Sequence, residues 1–247
     1  MEAYALTDVG QVRSMNQDSI YSSTAPLGSL NNLFIVADGM GGHKAGDFAS
    51  RFVVEKLVEF FSQEYPERDV HGILKEGIRK VNRELFEIAS ENPDLHGTGS
   101  TLVLATIKGN VLYVANIGDS RLYLLREQLE QVTRDHSYVE EMVALGKIKR
   151  GSHDYIENKN IITRAVGTGK DVDIDLFALK LKSRDSILMC SDGLSNMVDE
   201  FEIEYIIRSE EGIQKKVESL VKAANRNGGR DNISVVLVEP QISEVSL

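Results

Sequence analysis

The chain has one cysteine, no tryptophan, only four prolines, and fewer cations than anions. A lone cysteine, Cys190, excludes an internal disulfide. Its place in the apolar stretch Ile187-Leu188-Met189-Cys190 reads as a buried small hydrophobe, not a reactive thiol. No stretch approaches the roughly 20 continuous apolar residues that a membrane-spanning helix needs. The N-terminus has no basic segment followed by an apolar stretch and a cleavage site, so the expectation is a cytoplasmic protein with no membrane partner. Lys and Arg total 28 against 38 Asp and Glu, and the net charge of −10 disfavours nucleic acid and anionic lipid as partners. Anionic substrates stay open, because bound cations reverse local charge. No Cys/His spacing fits structural zinc. No Pro/Gly/Ser-rich linker divides the 247 residues, so one domain over 1–240 with a short tail, 241–247, is expected.

What is present is a clear succession of elements. Residues 1–7 alternate weakly and read as an edge strand, and 33–37 form an apolar run that stops at Asp38-Gly39-Met40-Gly41-Gly42. Apolar residues then recur at helical spacing over 49–61 and again over 73–89, with Pro66 between them. Strands are expected at 101–107, 111–117, 121–125 and 129–132, and links this short require antiparallel neighbours. Ser137 and Glu140 form a capping pair for a short helix ending near Gly146. Residues 147–160 read as an exposed irregular excursion. Strands at 177–181 and 186–190, a helix capped by Asp199, a second helix over 213–224 and a β-branched strand at 233–238 complete the order. This succession predicts two packed antiparallel sheets with helices outside, and not a doubly wound parallel sheet.

Four aspartates fall at element boundaries beside glycine or polar turns: Asp38, Asp119, Asp192 and Asp231. Asp18 is a fifth, in Arg13-Ser14-Met15-Asn16-Gln17-Asp18. Each one alone reads as a turn former. Together they also read as an acidic metal site, because gathered carboxylates repel unless cations neutralise them, and hard oxygen donors favour Mg²⁺ or Mn²⁺. Both readings stand on composition and spacing.

Seven blocks in order carry a resemblance. They are Gly10-Gln11-Val12-Arg13 with Asn16-Gln17-Asp18; Val36-Ala37-Asp38-Gly39-Met40-Gly41-Gly42-His43; Gly97-Thr98-Gly99-Ser100-Thr101; Asn116-Ile117-Gly118-Asp119-Ser120-Arg121; Thr163-Arg164-Ala165-Val166-Gly167; Cys190-Ser191-Asp192-Gly193-Leu194; and Gly229-Arg230-Asp231-Asn232. This pattern resembles the metal-dependent type 2C serine/threonine protein phosphatases in their compact bacterial form. The resemblance implies an α+β fold, a four-layer α-β-β-α sandwich with a small flap subdomain at about 136–167. It implies hydrolysis of phosphoserine and phosphothreonine esters in proteins by a hydroxide bridging two Mn²⁺ or Mg²⁺ ions, with a weaker third ion. Asp38 then resembles the bridging carboxylate, the Gly39 carbonyl a ligand of the second ion, and Asp192 and Asp231 ligands of the first. Asp18 matches the acidic position near the second ion, and Asp119 the residue that helps hold the third, sharing Asp192. Arg13 resembles the phosphate-binding arginine, whose planar fork suits two phosphoryl oxygens.

One position departs from the eukaryotic pattern: Met40 stands where those relatives carry a histidine. The proton donor to the leaving group is then either His43 or a metal-bound water. His136, in Arg134-Asp135-His136-Ser137, reads as ordering the start of the excursion. Lys147, Lys149 and Arg150 make a basic patch in an acidic chain, read either as a solvated face or as a contact for phosphopeptide. The resemblance also implies an opposing bacterial eukaryotic-like Ser/Thr kinase as partner, and a monomer is the default assembly. A pseudophosphatase or metal-dependent regulatory binding domain is the alternative. It is disfavoured because the expected carboxylates and Arg13 are all present.

Overall fold

The computed structural model describes residues 1–42, 45–65 and 69–242. In chain order it begins with β1 (Glu2–Asp8), β2 (Asp18–Ser23), β3 (Leu33–Met40), α1 (Ala45–Phe61) and α2 (Val70–Glu91). There follow β4 (Gly99–Ser100), β5 (Leu102–Lys108), β6 (Val111–Ile117), β7 (Arg121–Leu125) and β8 (Leu129–Gln131). Between β8 and the next strand lie α3 (Tyr138–Ala144) and α4 (His153–Asn158). Last come β9 (Asp175–Lys180), β10 (Ser186–Cys190), α5 (Asp192–Ser195), α6 (Glu200–Ile207), α7 (Ile213–Arg226) and β11 (Ile233–Glu239).

One sheet runs β1-β11-β10-β7-β8. The other runs β2-β3-β5-β6-β9, with β4 added against β3, and the pairings are antiparallel. The inner strands β3, β5, β10 and β11 are largely apolar on both faces because both faces are covered. In β3, Leu33, Ile35 and Ala37 pack against Val53 and Leu57 of α1 and Leu74 and Ile78 of α2, while Phe34 and Val36 point to the other sheet. In β10, Leu188 and Cys190 meet Ile203, Val217 and Leu220 of α6 and α7, while Ile187 and Met189 join Val236 and Val238 between the sheets. The period of two along each strand thus makes three apolar interfaces, and these are the four-layer sandwich expected from the element order. Each fully buried aliphatic side chain contributes about 1.5–3 kcal/mol, so the three interfaces hold the strand ends firmly in register.

Several local expectations are corrected. β3 does not stop at Ala37: it continues through Met40, because Gly39 pairs with Ser100 of β4. Asp192 does not sit in a plain turn but opens α5. Residues 147–160 are not irregular throughout, since α4 forms there with Ser152 accepting from the Tyr155 N–H. A six-residue helix with few apolar side chains leaves no helical period to read. β2 has no apolar run either, and its edge pairing with β3 defines it. The capping pairs do form: Ser137 Oγ accepts from Glu140 N–H, and Asp199 from Glu202 N–H. Pro66 and residues 243–247 of the tail lie outside the described residues.

Candidate metal centre

The antiparallel register sets Asp18 of β2 directly opposite Asp38 of β3, so the two carboxylates share one face of the sheet edge. The Asp38 backbone is locked from β5's side: its N–H donates to Thr101 Oγ1 at 2.9 Å, and its carbonyl accepts from Thr101 N–H at 2.8 Å. Gly39 follows where no side chain fits, since a Cβ there would lie 1.9 Å from the Gly46 carbonyl oxygen. From the other sheet, Asp192 enters at the end of β10 and Asp231 just before β11. Asp119 enters after Gly118, at the end of β6.

Each carboxylate has a distinct setting. Asp18 Oδ2 accepts from Ser191 Oγ at 2.7 Å. Asp192 Oδ2 accepts from Asn196 Nδ2 at 2.9 Å, and Asn196 Oδ1 accepts in turn from Lys159 Nζ at 2.8 Å. Asp231 Oδ1 accepts from the Asn232 N–H at 2.9 Å, and its Oδ2 takes a hydrogen bond from Arg13 Nη2 at 2.8 Å. Arg13, Asp38, Gly39, Asp119, Asp192 and Asp231 line one cleft of about 270 Å³, and Asn160 and Ile162, which follow α4, close its side. Asp18 is buried, 7% exposed.

The electrostatics is that of negative charge confined together. Burial pushes the Asp18 carboxyl up to about 7, with the Ser234 and Ser191 hydroxyls opposing the rise and Asp192 and Asp231 adding to it. Burial, then Asp192, raises Asp119 to about 8; burial, then Asp231, raises Asp192 to about 6. Asp38 is held well above the carboxylate range by burial and by Asp18. Asp18 Oδ1 and Asp192 Oδ1 are buried without a hydrogen-bond partner. An unsatisfied buried acceptor costs about 1–3 kcal/mol, more if charged. Divalent cations fit this set: they would satisfy both oxygens and return the carboxylates to their charged form. Among the described residues no three Asp, Glu, His or Cys side chains are gathered tightly enough to enclose an ion alone. Ions held here would therefore complete their shells with backbone oxygen and water, as Mg²⁺ does.

Six of the eight residues singled out from the sequence thus meet at one cleft, and Asp18 lies on the same sheet face as Asp38. His43 lies outside the described residues. Asn196 and Lys159, which hold Asp192, carried no signal in the sequence; Thr101 and Asn232 fell inside two of the seven blocks but were given no role there. The basic patch is less free than it read: Arg150 Nε donates to Glu140 Oε1 at 3.1 Å, and Tyr155 Oη donates to the same oxygen at 2.8 Å. Lys147 and Lys149 are exposed.

A family model described as protein phosphatase 2C matches residues 10–237. A Listeria monocytogenes protein named serine/threonine phosphatase stp is 38% identical over 248 residues, covering 99% of this chain and 98% of that protein. The crystal structure of a bacterial serine phosphatase superposes with a TM-score of 0.91 at 35% identity, covering 100% of both chains. The catalytic domain of the serine/threonine protein phosphatase PstP, solved in complex with two manganese ions, covers 96% of each chain with a TM-score of 0.82 and 35% identity.

Proposed function

The chain belongs to the protein phosphatase 2C family, and from that premise we propose which of its residues carry the reaction. It is a divalent-metal-dependent serine/threonine protein phosphatase that hydrolyses phosphoserine and phosphothreonine esters. The observation that supports the residue assignment is the cleft itself: four aspartates line it, with Asp18 beside Asp38 on the neighbouring strand and two buried carboxylate oxygens unpaired. Asp38, Asp192 and Asp231, with the Gly39 carbonyl and Asp18, would hold two Mn²⁺ or Mg²⁺ ions. Asp119 would share Asp192 to hold a weaker third. Such cations supply an acidified water as nucleophile and offset charge on the phosphoryl oxygens.

The protein's own groups do the rest. Arg13 stands at the mouth of the cleft, its side chain 52% exposed and paired with Asp231. Its fork turns to the phosphoryl oxygens when substrate enters, which orients phosphorus for in-line attack. No side chain is needed as nucleophile, and Cys190 is fully buried on the helix-facing side of β10. The leaving alkoxide takes its proton from His43 or from a water; a pH–rate profile of His43→Gln that keeps its acidic limb removes His43 from that role. Residues 136–167 form the flap beside the cleft. No described helix is long and apolar enough to cross a membrane. A monomer working in the cytoplasm opposite a bacterial eukaryotic-like Ser/Thr kinase, which must supply its phosphoproteins, completes the proposal.

The ligand assignment is tested by calorimetric titration with Mn²⁺. The wild-type chain binds at least two equivalents, and Asp192→Asn loses at least one while remaining folded. Unchanged stoichiometry and affinity in Asp192→Asn would remove that residue from the ligand set.

A further inference from the structure

The peptide that delivers Asp119 to the cleft is gripped by a residue 18 positions further along the chain. Gly118 has φ +98°, a backbone conformation that favours glycine. A Cβ there would lie 2.7 Å from Thr101 Cγ2, so the position is wedged against β5's entry. On its other side stands His136. The Gly118 N–H donates to His136 Nδ1 at 3.1 Å, and the Gly118 carbonyl accepts from the His136 backbone N–H at 2.9 Å. The two peptides that flank the Gly118 α-carbon, one of them shared with Asp119, are thus both bonded to one residue.

The ring is itself held. A backbone N–H only donates, so Nδ1 carries no proton and the ring proton sits on Nε2. Nε2 lies 3.0 Å from Asp175 Oδ2, and Arg164 Nη1 donates to Asp175 Oδ1 at 3.0 Å. His136 is 5% exposed. It also roots the excursion: its carbonyl accepts from Thr163 N–H at 2.8 Å, and the Tyr138 N–H donates to the Ile161 carbonyl at 2.8 Å. His136 lines neither the carboxylate cleft nor the cavity beside it that Asp119 and Asp192 share with Lys159.

We propose that His136 is a positioning residue for Asp119. Through Nδ1 and its backbone N–H it fixes the two Gly118 peptides, and hence the direction in which the Asp119 carboxylate enters the cleft. Asp175 fixes the ring by holding the Nε2 proton. The inference rests on the reading of Asp119 as a metal ligand. It assigns His136 no contact with substrate or ion. It makes metal affinity at Asp119 depend on the base of the excursion.

Two substitutions separate the ring nitrogens. In His136→Asn the amide oxygen stands where Nδ1 does and still accepts from Gly118. In His136→Gln the amide nitrogen reaches the Nε2 position and donates to Asp175, leaving the Gly118 N–H unpaired. Calorimetric titration with Mn²⁺ is run on the wild type, both variants and Asp119→Ala, beside thermal melts and the Mn²⁺ dependence of kcat and KM. The weakest Mn²⁺ site is lost in Asp119→Ala. It weakens about 10–100-fold in His136→Gln, the range seen when a partner that orients a ligand is removed. His136→Asn restores it to near the wild-type affinity, although both His136 variants lose thermal stability. An Asp119→Ala protein that binds Mn²⁺ like the wild type overturns the reading of Asp119, and the inference with it. Loss in Asp119→Ala with equal losses, or none, in the two His136 variants overturns the inference alone. Should both fail to fold, Asp175→Ala at the half-buried end of the relay carries the test. About tenfold weaker binding at that site supports the inference, and unchanged binding overturns it.

Discussion

Replacing Asn232 by alanine tests whether the loop that carries Arg13 is held from across the chain. Asn232 is 3% exposed, and its side chain ties down the segment between β1 and β2. Its Nδ2 donates to the Val9 and Met15 carbonyls at 2.9 Å each, and its Oδ1 accepts from the Gln17 N–H at 2.8 Å. Each such bond contributes about 1 kcal/mol net, so losing three predicts a destabilisation of about 3 kcal/mol. Asn232→Asp does not rescue it: the acceptor for Gln17 survives, but an oxygen then faces two carbonyl oxygens. Urea unfolding gives the stability change. Phosphatase assays on the folded fraction give the functional change, expected to be at least tenfold in kcat/KM because the released segment carries Arg13 and leads directly into Asp18. A loss under about 1 kcal/mol in Asn232→Ala, with activity intact, would refute the reasoning.

The raised carboxyls set a pH dependence. Asp18, Asp119 and Asp192 bind protons more tightly folded than unfolded, so the metal-free protein loses stability as pH rises from about 4 to 8, and Mn²⁺ offsets the loss. Mn²⁺ uptake at about pH 6.5 accordingly releases protons, read as heats that differ between buffers of unlike ionisation enthalpy; identical heats after correction would contradict it. Burial pushes the Cys190 thiol up to about 12, so Cys190→Ser keeps activity within about twofold and the native thiol resists alkylation. A fall of orders of magnitude in a folded, metal-loaded protein would sink direct attack by water. Neutralising exposed Lys147 and Lys149 lowers kcat/KM on a phosphopeptide but not on a small aryl phosphate. Equal losses on both would exclude a peptide contact.

The strands and long helices were legible because burial on two faces leaves continuous apolar runs, as in 33–37 and 187–190, and burial on one face leaves a helical period, as in 73–89. Asp38, Asp119, Asp192 and Asp231 were legible as acids at the ends of such runs. The supports of the site were not. The Gln17–Asn232 bond spans 215 residues and Thr101 reaches Asp38 across 63, so although these residues fall inside the seven blocks, nothing in one dimension shows which of them bond to one another. Arg150 read as part of a free basic patch because its partner, Glu140, becomes buried only once α3 and α4 pack. β4 has only two residues and no pattern of its own, yet it extends β3 past Asp38 and so fixes where that carboxylate stands.

The most direct measurement is phosphate release from a phosphothreonine peptide with and without Mn²⁺, on the wild type and on Asp38→Asn. Turnover is expected to require the metal and to fall by orders of magnitude in a folded Asp38→Asn protein. Metal-independent turnover, or Asp38→Asn activity equal to the wild type, would contradict it.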